Sequence, residues 1–146
     1  DLVAVHDACR CCATDQLVTE VIAKAAQTGA AIPAAPVTAT IKQVKKGEIV
    51  RTVDRSDLFE AQTPQVFDVA LLKKAYANLP NVDKSVVTDD AYLVEAIGHK
   101  VSIVESDSSN LKITRPSDLP LAEAILKSRP KPKPEGVVHP FEEAQW

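Results

Sequence analysis

Apolar and polar positions change period several times along this chain, and each change predicts an element. Leu2-Val-Ala-Val-His6 is a continuous apolar run, the pattern of a buried strand rather than of a half-exposed one. Leu17, Val18, Val21, Ile22 and Ala25 then recur at helical spacing. Thr14 before them offers a hydroxyl to an orphan N–H, and Gly29 after them can take the left-handed conformation that ends a helix. Residues 30–38 hold small and apolar side chains interrupted by Pro33 and Pro36, and the prolines leave that segment without an assigned element. Two β-rich runs, Thr40–Val44 and Ile49–Val53, flank Lys45-Lys-Gly-Glu48 and predict a hairpin. Lys42, Lys45, Lys46 and Arg51 break its apolar face, so it is expected to protrude as an arm over about residues 38–55, and a two-stranded arm usually needs a partner.

Residues 68–78 predict a second amphipathic helix, and Thr88 is placed as the cap of a third that runs to Gly98, with Leu93, Val94 and Ile97 on one side. A strand over 100–105 follows, then a short one at Leu111–Ile113 and a final helix from Thr114 through Ile125. Pro116 falls in the first turn of that helix, where a missing N–H costs little, whereas Pro120 falls deeper and is less comfortable. Strands alternating with helices predict an α/β layer structure around a largely parallel sheet.

Composition narrows this picture. A chain of 146 residues suits one domain with a real core, here residues 1–128. From Ser128 the run Arg-Pro-Lys-Pro-Lys-Pro-Glu-Gly alternates proline with charge, which favours extended backbone and offers no core pattern, so 129–146 reads as a disordered or loosely docked tail. No apolar run approaches the roughly 20 residues of a membrane span. The net charge of -3 argues against a broad nucleic-acid footprint and leaves room for a local phosphate pocket, so the expected ligand is small. The chain opens on Asp1 in the middle of a strand pattern and contains no Met; upstream sequence is therefore expected. Cys9, Cys11 and Cys12 are the only cysteines, which excludes a disulfide framework across the fold, and no second Cys/His cluster completes a zinc site. They read as reduced thiols at small-residue positions.

Four segments carry candidate chemistry. His6-Asp-Ala-Cys-Arg10 follows the first strand, where α/β sheets bind ligands. Asp7 could hold a hydrated cation, and Arg10 could bind phosphate oxygens as a fork. The others are Val53-Asp-Arg55 followed by Ala61-Gln-Thr-Pro-Gln65, then Val87-Thr-Asp-Asp-Ala91, then Asn110-Leu-Lys-Ile-Thr114. Arg55, Thr63 and Lys112 add a second fork, a hydroxyl and a point charge, the groups a phosphomonoester needs. Taken singly, an Asp and an Arg after a strand are more often a loop salt bridge, and each of the others has a plain reading as a surface residue.

In this order, and with the arm segment Ala35-Pro-Val-Thr-Ala-Thr-Ile-Lys42, the four segments resemble the C-terminal half or more of the 2-C-methyl-D-erythritol 4-phosphate cytidylyltransferases, from about Leu2 to Ile125. The resemblance implies a Rossmann-like nucleotidyltransferase sheet with helices on both faces and a protruding β-arm. It implies joining of CMP from CTP to methylerythritol phosphate, with pyrophosphate released, in non-mevalonate isoprenoid synthesis. Asp7 matches the family's Asp near the CTP phosphates and Mg2+; Arg10, Thr63 and Lys112 match positions around the acceptor. Thr40 and Arg55 match arm residues that reach the neighbouring subunit of a homodimer. The compartment implied is a bacterial cytoplasm or a plastid stroma. A ribitol-5-phosphate cytidylyltransferase and a non-catalytic dimerisation fragment are the alternatives. The family's glycine-rich triphosphate loop is not spelled by Gly29, Gly47, Gly98 and Gly136, so this chain is expected to hold the acceptor side of a site and to be inactive alone. Ala-Cys-Arg-Cys-Cys stands where the family more commonly reads Ala-Ala-Arg-Pro, which is expected to loosen the loop that aims Arg10.

Overall fold

In the first helix the caps act as their chemistry allows. Thr14 is extended and its hydroxyl accepts the N–H of Leu17 at 3.1 Å, while Gly29 takes a φ of 83° and donates its N–H to Ala25 at 2.8 Å. The computed structural model describes residues 1–130. Along them run β1 (Leu2–Val5), α1 (Asp15–Thr28), β2 (Ala30–Pro36), β3 (Ile41–Lys45), β4 (Glu48–Val53), β5 (Phe59–Ala61), β6 (Gln65–Asp68), α2 (Val69–Ala77), α3 (Asp90–Ala96), β7 (Ser102–Glu105) and α4 (Asp118–Ser128). The sheet runs β1-β6-β2-β5, with β7 on the other edge of β2.

The sheet is mixed rather than largely parallel. β6 is antiparallel to both β1 and β2, β5 is antiparallel to β2, and β7 is parallel to it. β1, β2 and β7 run the same way, with α1 crossing from β1 to β2 and α2 and α3 preceding β7. β5 and β6 are reversed because the chain leaves β2 through the hairpin and returns along the same edge.

Residue alternation sends the two faces of the sheet into two cores. Ala31 and Val66 pack with Leu17, Val21 and Ala25 of α1. Ala30, Ile32 and Phe67 pack with Ala75, Ala91, Leu93 and Val94 of α2 and α3. Helices thus cover both faces. β2 was unassigned from sequence because of Pro33, yet Pro33 is buried mid-strand, and its carbonyl accepts the N–H of Gln62 at 2.9 Å. A strand residue's N–H and C=O face the same edge, so the donor that proline lacks would have faced the gap between β5 and β6.

Several boundaries differ from expectation. β1 is not buried: Leu2 and Val5 are 39% and 36% exposed, because β6 is its sole strand neighbour among the described residues. β5 and β6 were not foreseen. The cap of α3 is Asp89, whose carboxylate accepts the N–H of Tyr92 at 3.0 Å, and not Thr88. Leu111–Ile113 is loop, tied down by the Ile113 N–H to the Cys9 carbonyl at 2.9 Å. The last helix starts at Asp118, which puts Pro120 at its third residue, where no intrahelical partner awaits an N–H. Pro116 lies before the helix.

The arm is a separate two-stranded sheet, β3 against β4, joined by Lys46 and Gly47 at φ of 50° and 86°. Positive φ at both loop residues matches the twist of a tight hairpin. Val44, Ile49 and Val50 on it are 56%, 64% and 58% exposed. The tail proposed over 129–146 lies outside the described residues beyond residue 130. Phe67→Ala, which empties the centre of the larger core, is expected to cost about 3–5 kcal/mol, and Thr14→Ala about 1 kcal/mol; urea unfolding midpoints of the chain measure both.

Candidate active site

Beyond Val5 the chain makes two successive turns, closed by Arg10 N–H to Asp7 O at 3.0 Å and Ala13 N–H to Arg10 O at 3.4 Å. These turns set Asp7 and Arg10 side by side: the Arg10 Nε lies 3.2 Å from Asp7 Oδ2. Lys112, a hundred residues on in sequence, brings its Nζ to the same oxygen at 3.0 Å. Thr63, between β5 and β6 and followed by a cis peptide bond to Pro64, accepts the Asp7 N–H at 3.0 Å and pairs with His6 Nδ1 at 2.9 Å.

Behind this cluster lies a buried amide pair. Asn110 is 2% exposed; its Nδ2 donates to Gln62 Oε1 and to the Thr63 carbonyl, each at 3.0 Å. Its own carbonyl accepts from Arg10 Nη1 at 2.7 Å. Gln62 Nε2 reaches the Asp107 carbonyl at 2.9 Å. The loops after β1, between β5 and β6, and after β7 are thereby stitched together. They enclose a cavity of about 300 Å³ lined by Arg10, Gln62, Asn110, Lys112 and Thr114, with Glu60 at its side.

The charges are partly shielded from water. Burial is the largest single influence on the Asp7 carboxyl and opposes its ionisation, but hydrogen bonds and charge from Lys112 and Arg10 together hold it below its ordinary value. Arg10 and Lys112 are offset by Asp7 between them and by Glu60 at the cavity's side, so an anion would have to take the place of the Asp7 carboxylate on the two cations. Arg10 is nearly covered while Lys112 is about half exposed, so the first is a fixed fork and the second a mobile point charge.

Of the residues singled out from sequence, Asp7, Arg10, Thr63 and Lys112 come together. Thr63 does so by shaping the loop, since its hydroxyl already serves Asp7 and His6. Thr40 and Arg55 lie exposed at the two bases of the arm and do not line the cavity. Gln62 and Asn110 were quoted within motifs without a role. Their signal was an uncharged amide beside the reactive types, Gln62 before Thr63 and Asn110 two residues before Lys112. Among the described residues no group of three His, Cys, Asp or Glu side chains could hold a metal ion. Asp7 could supply one carboxylate oxygen to a cation. No described helix is long and apolar enough to cross a membrane.

This mixed sheet with helices on both faces has the Rossmann-like nucleotidyltransferase fold, with the site in the loops at the end of β1. The family described as IspD, 2-C-methyl-D-erythritol 4-phosphate cytidylyltransferase, matches residues 1–128, and the chain belongs to that family. The Bacillus licheniformis 2-C-methyl-D-erythritol 4-phosphate cytidylyltransferase is 44% identical to it over 128 residues, covering 88% of this chain and 55% of that protein. The Rhodopirellula baltica protein of the same name is 49% identical over 126 residues, covering 86% and 50%. The crystal structure of the Thermus thermophilus enzyme of this name aligns with a TM-score of 0.76 at 40% identity, over 86% of this chain and 62% of that one. The chain thus spans about half the length of the curated relatives it matches.

Because Asp7 titrates below its ordinary 3.8 when folded, the stability it contributes is complete above that value and is lost as pH falls below it through the folded value. The gap in urea midpoint between the chain and Asp7→Asn is expected to close over that acid range. In Lys112→Ala or Arg10→Ala, burial meets less opposition, so the Asp7 carboxyl, followed by 13C NMR, titrates at higher pH than in the unaltered chain.

Proposed function

We propose that this chain is the acceptor-binding part of an enzyme that transfers CMP from CTP to 2-C-methyl-D-erythritol 4-phosphate and releases pyrophosphate. The observation that carries the reading is the convergence of Arg10 and Lys112 on Asp7 beside a cavity, within a chain of this family. In such a transfer the acceptor phosphate attacks the α-phosphorus of CTP, so two anions approach each other. The protein's task is to position them and to spread positive charge around the phosphorus. Arg10 would grip the acceptor phosphate as a fork, and Lys112, turning away from Asp7, would follow the charge as it develops. Asp7 holds the two cations together against their repulsion, beside the cavity, until substrate arrives. A Mg2+ ion entering with the nucleotide would neutralise triphosphate charge, with Asp7 as its ligand from this chain.

The described glycines do other work. Gly29 caps α1, Gly47 turns the arm and Gly98 follows α3, all at positive φ, so none of the three is assigned to a triphosphate cradle. The relatives named above favour methylerythritol phosphate over ribitol 5-phosphate as acceptor. The arm, with Val44, Ile49 and Val50 exposed among its charges, is assigned to a second copy of the protein, where it would carry Thr40 and Arg55 toward the partner's acceptor site. That gives a homodimer with shared sites.

The test is pyrophosphate release by the full-length protein supplied with CTP and methylerythritol phosphate; none above background sinks the reading. Lys112→Ala is expected to lower kcat/KM for the acceptor roughly 10- to 100-fold, the worth of one charged hydrogen bond. In sedimentation, removal of Lys45–Glu48 is expected to shift dimer to monomer, and a monomer with or without the deletion refutes pairing through the arm.

A further inference from the structure

The turns that aim Arg10 also carry Cys9, Cys11 and Cys12, all free thiols. Cys11 is exposed and Cys12 is buried at 1% exposure, and their sulfurs lie 4.0 Å apart. Cys12 is anchored: its Sγ lies 3.8 Å from the Ala122 carbonyl oxygen in α4, and its own carbonyl accepts from the Arg129 guanidinium. Cys9 is engaged differently, its carbonyl holding the Ile113 N–H at 2.9 Å. One sulfur of the neighbouring pair is therefore on the exposed residue, and the other lies buried beside it.

We infer that Cys11 and Cys12 form a redox couple, an exposed thiol that reacts with hydroperoxide and a buried thiol that resolves it, and that the resulting vicinal disulfide releases Arg10 from its aim. The Cys11 thiol loses its proton to water, its thiolate attacks one oxygen of a hydroperoxide ROOH, the O–O bond breaks, and the alkoxide leaves as ROH by taking a proton from water, with Cys11 left as sulfenic acid. The Cys12 sulfur then attacks that of Cys11 and expels its oxygen, which leaves as water with the Cys12 proton. Two thiols are oxidised to a disulfide, and the hydroperoxide is reduced to ROH and water. Burial first, and the adjacent Cys11 next, push the Cys12 thiol up, which keeps it protonated and leaves the first attack to Cys11.

The consequence for Arg10 is geometric. The bond requires the sulfurs to close from 4.0 Å to about 2.05 Å across neighbouring Cα atoms only about 3.8 Å apart, below the usual span of a disulfide. Such a bond is strained, so thiols reduce it readily and the change is reversible. The strained peptide lies inside the turn closed by Ala13 N–H to Arg10 O, which at 3.4 Å is the longer of the two bonds shaping this loop. Distortion there moves Arg10 off Asp7 Oδ2 and the Asn110 carbonyl. The inference shares the site assigned above to the acceptor but rests on its geometry, and its test uses neither CTP nor acceptor.

The full-length protein is treated with a few equivalents of hydrogen peroxide, alkylated and peptide-mapped. The peptide holding Cys11 and Cys12 is expected to lose the mass of two hydrogens, with Cys9 still alkylated and dithiothreitol restoring both thiols. In 15N-labelled protein, the Arg10 Nε–H resonance, assigned by its loss in Arg10→Lys, is expected to shift on oxidation and return on reduction. Cys12→Ser, which folds with a near-isosteric side chain, is expected to trap Cys11 as a dimedone-reactive sulfenic acid and leave the Arg10 signal in place. Persistence of both thiols under peroxide, pairing through Cys9 or between chains, or an unmoved Arg10 resonance in the disulfide form overturns the inference. Absence of cytidylyl transfer in the separate assay would leave these readouts intact.

Discussion

The side chain of Asn110 is the point on which the site depends. Buried at 2% exposure, it donates both to Gln62 and to the Thr63 carbonyl while its backbone carbonyl receives Arg10. Its orientation is fixed by chemistry, since the Thr63 carbonyl can only accept and the other rotamer would set oxygen against oxygen. A buried amide with one anchored face is costly to misplace, because the groups it leaves behind cannot turn to water. Three loops distant in sequence are thereby made into one rigid floor, and Arg10 and Lys112 stand on it.

That floor explains how a chain with net charge -3 gathers two cations at one cavity. Asp7 is the sole carboxylate in contact with Arg10 and Lys112 among the described residues, and it binds both through one oxygen. Without it, two cations close together in partly buried surroundings would repel and splay into solvent. With it, they are held near the spacing an anion could exploit, and exchanging the carboxylate for a phosphate oxygen changes little in the local field. The depressed titration of Asp7 reports the same balance from the other side: burial alone would have raised it, and the two cations outweigh burial.

The sequence was legible where local chemistry decides the outcome. Thr14 and Gly29 bracket α1, and Lys46-Gly47 closes the arm, because each depends on a few neighbouring residues. It was opaque where pairing decides. β2 hides behind Pro33, whose missing donor is harmless only because the opposite edge is broken at Gln62–Pro64. β5 and β6 are three and four residues long, too short for period alone. Leu111–Ile113 is β-like in composition but spends its backbone on Cys9 rather than on a ladder. The same division runs through the site: Asp7, Arg10, Thr63 and Lys112 were found by residue type and motif, while Gln62 and Asn110, whose worth lies wholly in burial and partners, were not.

A site built on loops, with its strands serving as supports, is open to alteration from either side of the sheet. The loop after β1 is the most exposed to this, since it joins Thr63 through Asp7, α4 through Cys12, and Asn110 through Arg10. Each tie fixes one residue of a segment that forms neither helix nor strand, so the position of Arg10 is a compromise among three neighbours rather than a property of a rigid element. A proline at position 11 would restrict that compromise by locking one φ. Cys11 leaves it free, and the cost of that freedom is a guanidinium whose aim depends on the state of two adjacent sulfurs.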